Sequence, residues 1–194
     1  YDKLYLIPVL KEIIEISPNI KIMASPWSPP SWMKTNNSTI GGKLLPEFYD
    51  AYALYFVKYI QSMKDEGIKI DAITIQNEPL HDGNNPSMYM SSTEQASFVK
   101  QSLGPTFLQN QIDTKIIIYD HNADRIDYPI SVLNDLSARQ YIDGSAFHLY
   151  GGNISDLSVL KSAHPDKNLY FTEQWVGAPG DLYGDLRWHI RNLI

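Results

Sequence analysis

The chain has 194 residues, 43% hydrophobic and 20% charged, with a net charge of −6 and no cysteine. This is the composition of a folded domain, not of a disordered segment. With no basic run it offers nucleic acid no footing, without cysteine it can form no disulfide or thiolate metal site, and no apolar stretch approaches the ~18 residues of a membrane span.

In chain order, Leu4 to Ile16 carries apolar residues at helical spacing, and Pro18 ends that helix. Ile20 to Ala24 is a short apolar run that reads as a buried strand. Pro46 to Glu66 predicts a long helix, with proline suited to its first turn and Gly67 closing it. Ile70 to Gln76 is the next strand. Ser92-Thr93-Glu94-Gln95 resembles a capping box opening a helix to about Leu103. Lys115 to Tyr119 is a third strand, followed by a short helix over Pro129 to Leu136. Ser145 to Leu149 is a fourth strand, Ser155 to Ala163 a helix, and Leu169 to Thr172 a fifth strand. A last helix runs from Tyr183 to Ile194. Strands alternating with helices, and no tight hairpin between them, predict an α/β domain with a parallel sheet.

The two ends of these strands differ in chemistry. The segments entering them are plain: SPNIK, GIKID, IDTK and HPDKN. The segments leaving them are dense in functional groups: SPWSPPSWMKTN, NEPLHDGNNPSMYM, DHNADRID, HLYGGN and TEQWVGAPGD. Sites in parallel α/β folds lie at the carboxyl ends of strands. Glu78 stands at such an end, and Glu173 stands at the same level three strands later. Two carboxylates that converge there suit retaining glycoside hydrolysis, which needs an acid/base and a nucleophile about 5–5.5 Å apart. The acid needs a raised pKa, and a second carboxylate nearby is expected to supply it.

Plainer readings exist for each residue. Glu78 could be a strand-end carboxylate before a turn-forming proline. Glu173 could pair with Arg187 or Arg191, Trp27 and Trp32 could fill a core, and His148 could be a satisfied core histidine. His121 with Asp120 and Asp124 matches no common metal-ligand spacing, so neither metal nor other cofactor is expected.

The segments Ala24 to Lys34 (ASPWSPPSWMK), Gln76 to Pro79 (QNEP), Phe147 to Tyr150 (FHLY) and Thr172 to Trp175 (TEQW) together resemble glycoside hydrolase family 30, the glucosylceramidase-like enzymes. The resemblance implies a (β/α)8 barrel, of which strands three to seven are here, while the β-rich side domain is not. It implies Glu78 as acid/base, Glu173 as nucleophile and Asn77 on the sugar 2-hydroxyl. It puts Trp32 in the wall of the sugar subsite and Asp120 and His121 on the rim. His148 and Tyr150 follow on the sixth barrel strand, Tyr150 holding the nucleophile, and Trp175 joins the substrate contacts. The substrate would be a β-glucoside such as glucosylceramide, or β-1,6-glucan; a non-catalytic sugar-binding barrel fragment is the alternative. The parent protein is expected to be secreted or periplasmic, and this chain to need the remainder of the barrel as its partner.

Overall fold

The computed structural model describes residues 2–176 and 180–193. Helix α1 (Leu6–Ile16) turns Ile7, Leu10 and Ile14 toward the core, a spacing of three and four residues that lines one face. Strand β1 (Met23–Ala24) follows, shorter than the apolar run around it. A 3-10 turn at Pro46–Phe48 leads into α2 (Tyr49–Asp65), which buries Tyr49, Tyr52, Ala53, Phe56, Val57, Ile60 and Met63 along one stripe. Strand β2 (Ala72–Thr74) is buried throughout.

Helix α3 (Ser92–Phe98) is capped by Ser91, one residue before the expected position, whose hydroxyl accepts from the Glu94 N–H while the Glu94 carboxylate accepts from the Ser91 N–H. The helix does not stop at Leu103. It widens into a π turn over Val99–Leu103 and resumes as α4 (Gly104–Gln109). Pro105 has no N–H to give to the preceding turn, and a wider turn lets the chain pass the proline without ending. Gly104 is required there, because a Cβ would strike the ring of Tyr141.

Strand β3 (Lys115–Asn122) runs three residues past its expected end. Two short helices follow, α5 (Asp127–Asn134) and α6 (Leu136–Arg139); the second was unforeseen and is capped by the Asp135 carboxylate. Strand β4 (Ile142–His148) begins three residues early. Then come α7 (Leu157–Ala163), β5 (Asn168–Glu173) and α8 (Leu182–Leu193). Ile194, the expected end of the last helix, lies outside the described residues.

The five strands form one parallel sheet in the order β1-β2-β3-β4-β5. Side chains alternate across it. Ile73, Ile116, Ile118 and Phe147 join the main core with the helices. On the other face Ala72, Ile117 and Ala146 form a smaller cluster with Met23 and Tyr170. Near the end of β3 the register with β4 slips between Tyr119 and His121. Tyr119 and Asp120 take left-handed backbone angles there, φ 73° and 64°. This bulge re-aims the end of the strand.

The densest packing is aromatic. Phe98 is fully buried and lies against Tyr52 (stacked, centroids 5.6 Å apart) and edge-on to Tyr49 (5.4 Å). Phe98→Ala is expected to cost about 3–5 kcal/mol of unfolding free energy, read from the midpoint of chemical denaturation, because α2 cannot collapse into the void.

Candidate active site

Each of the five strands delivers a polar side chain to the same end of the sheet. Ser25 directly follows β1, Thr74 closes β2 with Asn77 and Glu78 just beyond, Asp120 lies near the end of β3, His148 closes β4, and Thr172 and Glu173 close β5. The backbone stitches this end together. The Asn77 N–H donates to the Pro26 carbonyl and the Glu78 N–H to the Asp120 carbonyl, each at 2.9 Å. Glu78 is held with φ at 45°, a left-handed angle that is strained for a glutamate and is found where surrounding contacts over-determine the backbone.

His148 is fully buried between acids. Its Nδ1 lies 3.3 Å from Glu78 Oε1 and 3.9 Å from Glu173 Oε1, and its Nε2 lies 3.1 Å from Asp120 Oδ1. One oxygen of Glu78 and one of Glu173 are within 4.8 Å of each other and of the imidazole. Burial alone would lower the His148 pKa, but the hydrogen bonds to Asp120 and Glu78 and the nearby Glu173 push it up to about 9. The three atoms are near enough for a cation, but Nδ1 is already engaged by Glu78 Oε1.

The same hydrogen bond from His148 holds the Glu78 carboxyl below its usual range, against the opposing effect of burial. This corrects the expectation that a second carboxylate raises it: the His148 imidazole stands closer than the other acid and outweighs it. The Tyr150 hydroxyl donates to Glu173 Oε1 at 3.1 Å, and burial and Glu173 push its pKa up to about 12, so it keeps its proton. Among the described residues Glu173 has no arginine partner; Arg187 and Arg191 do not reach it.

A model of the glycosyl hydrolase family 30 TIM-barrel domain matches residues 1–182. The chain belongs to that family. It is 39% identical over 177 residues to an endo-1,6-beta-D-glucanase of Neurospora crassa, covering 88% of this chain and 36% of that protein. It is 33% identical to a putative glucosylceramidase of Caenorhabditis elegans, covering 91% of this chain and 37% of that one. A solved endo-beta1,6-glucanase superposes with a TM-score of 0.88 at 44% identity, over 91% of this chain and 42% of that one. The chain thus spans about two fifths of the length of these relatives, and its sheet is half of the family's barrel.

A family 30 fold accounts for where the expected residues lie. Asn77 and His148 line a cleft of about 270 Å³ together with Trp27, Phe171, Thr172 and Glu173. Trp27, not Trp32, is the tryptophan in that lining; Trp32 is exposed and packs edge-on against Phe48. Tyr150 and Trp175 stand exposed at the rim. His121 is half-buried beside His148, and its Nδ1 is buried with no hydrogen-bond partner.

Asp120 departs furthest from expectation. It borders the cleft but is 1% exposed, with both carboxylate oxygens engaged by protein side chains. Sequence reasoning also missed three groups that hold the site. Asn84 donates to Glu78 Oε2 at 3.1 Å. Lys34, 2% exposed and with no carboxylate partner among the described residues, donates to Ser28 Oγ and the Ser87 carbonyl, clipping the loop after β1 to the loop after β2. Ser25, Thr74 and Thr172 hydrogen-bond Asp120; the signal that could have found them is a hydroxyl residue at the end of three different strands.

His148 gains proton affinity on folding, so its contribution to stability is complete below its ordinary pKa of 6.5 and is lost as pH rises through about 9. Asp120 is held below its ordinary range, so its contribution is lost in acid. The melting temperature is therefore expected to fall between pH 6.5 and 9.5. A His148→Gln variant, melted across the same range, should show a flatter limb.

Proposed function

We propose that this chain is the catalytic centre of a retaining β-glycosidase that cleaves β-1,6-glucan. The observation that carries the reading is the approach of Glu78 and Glu173 oxygens to within 4.8 Å. Retaining enzymes hold their carboxylates about 5–5.5 Å apart, whereas inverting ones leave about 6.5–9.5 Å for a water. Glu173 attacks the anomeric carbon as Glu78 gives a proton to the departing glycosidic oxygen, leaving a glycosyl ester on Glu173. Water then attacks that carbon, its proton goes to Glu78, and the Glu173 carboxylate is released. Tyr150 orients Glu173 through its 3.1 Å hydrogen bond. Asn77, buried in the cleft, is placed to meet a sugar hydroxyl.

The glucan is favoured over glucosylceramide by the identities: 39% to the Neurospora glucanase and 44% to the solved one, against 33% to the nematode glucosylceramidase. The loop beyond Glu78 carries His81, Asp82, Asn84 and Asn85, which suits a hydroxyl-rich leaving group better than a lipid. A polymeric glucan also supports an exported enzyme. The remainder of the barrel completes the walls of the cleft.

The test uses the full-length protein with β-1,6-glucan, glucosylceramide and an aryl β-glucoside. β-1,6-Glucan should be cleaved fastest, with the β-anomer as first product by proton NMR; preference for the lipid would overturn the substrate assignment. Glu173→Gln should lower kcat by about 10³-fold or more. Glu78→Ala should lower kcat/KM on glucan by about 10²–10⁴-fold and much less on an activated aryl glucoside, whose leaving group needs little proton donation.

A further inference from the structure

We propose that Asp120 is a positioning residue that acts through His148 on the acid/base Glu78, holding the imidazole in the one orientation that places a proton against Glu78 Oε1. The inference rests on the reading of Glu78 given above.

Asp120 borders the cleft, but it is only 1% exposed and protein side chains already engage both of its oxygens. Thr172 Oγ1 (2.6 Å) and His148 Nε2 (3.1 Å) meet Oδ1, while Ser25 Oγ (2.6 Å) and Thr74 Oγ1 (2.8 Å) meet Oδ2. An ionised carboxylate only accepts, so His148 must keep a hydrogen on Nε2. The other ring nitrogen then faces Glu78 Oε1 at 3.3 Å with one proton to share. When that proton is on Nδ1, Glu78 is ionised; when it is on Oε1, Glu78 is ready to donate and His148 is neutral. The two groups titrate as a pair. The remaining groups facing the pair are Glu173 and Tyr150 beside His148, and His121 and His81 near Glu78, with Asp124 near His121. Among the described residues the hydrogen bond at Nε2 is to Asp120, which selects the tautomer.

Without Asp120 the ring can rotate or change tautomer, and Glu78 loses its aligned proton. Asp120→Asn keeps the shape and removes the charge. In the full-length protein it should lower kcat on β-1,6-glucan by about ten-fold or more beyond its effect on an activated aryl β-glucoside, the same leaving-group dependence expected of Glu78→Ala. An equal loss on both substrates would reduce Asp120 to a structural residue and overturn the proposal. If Glu78→Ala itself shows no leaving-group dependence, the acid/base assignment fails and this proposal falls with it. If Glu78→Ala shows that dependence and Asp120→Asn does not, only the proposal falls. A second readout needs no activity and no folded variant at position 120. Nitrogen-15 NMR of the wild-type protein, with the His148 signals assigned by their loss in His148→Gln, should show Nε2 protonated at pH 8, whichever partner holds the proton shared by Nδ1 and Glu78. An unprotonated Nε2 at pH 8 would overturn the proposal.

Discussion

Asp120 is an anion at the centre of the sheet's carboxyl end, hydrogen-bonded by side chains at or just past the ends of the four other strands. An unpaired charge buried this deeply would cost several kcal/mol. Four polar partners offset that cost, and each therefore has its position dictated by the charge. The left-handed backbone at Tyr119 and Asp120 turns the carboxylate inward while its carbonyl receives the Glu78 N–H. The strain of that bulge persists because the bonds it makes possible span the whole rim. Deleting any one hydroxyl loosens one strand; neutralising the carboxylate loosens all of them.

The charge on Asp120 also decides the electrostatics of the acid pair. Two glutamates this close would ordinarily keep one of their number protonated. A third carboxylate nearby draws a proton onto His148 instead, and the imidazolium holds the Glu78 carboxyl below its usual range. In the proposed mechanism the acid/base Glu78 receives its proton from a histidine 3.3 Å away. Preorganisation here consists of where one proton is stored, as much as of where the carboxylates stand.

Much of this was legible in the sequence because it follows from local pattern. The alternation of helix and strand predicted the parallel sheet, and the contrast between plain strand starts and dense strand ends located the site before any family was considered. Glu78 and Glu173 converge as their strand-end positions required. The failures share one cause: burial and side-chain direction at the rim depend on backbone angles that residue types do not announce. Nothing in YDHNAD says that Asp120 turns inward while His121 stays half-buried. Nothing in SPWSPPSWMK says that Trp27 faces the cleft and Trp32 faces Phe48. The helix through Pro105 was cut short because a proline ordinarily ends a helix, and only a π turn lets it continue. Lys34 escaped notice because its acceptors, Ser28 and a carbonyl at Ser87, become neighbours only after the two loops fold together.

The proposed catalytic pair, Glu78 and Glu173, is held by strands within this sheet. Glu78 follows β2 and Glu173 ends β5, and the strands between them are joined by continuous parallel pairing. His148, from one of those intervening strands, lies 3.3 Å from Glu78 Oε1 and 3.9 Å from Glu173 Oε1, and Asp120 holds its other ring nitrogen. What the half-barrel lacks is enclosure. β1 and β5 are open edges, and Phe171, Trp175 and Val176 are exposed beside the nucleophile. Acid-pair geometry and substrate enclosure are thus separable properties of this fold. The first is built from strand ends inside this chain, and the second has to come from whatever closes the sheet.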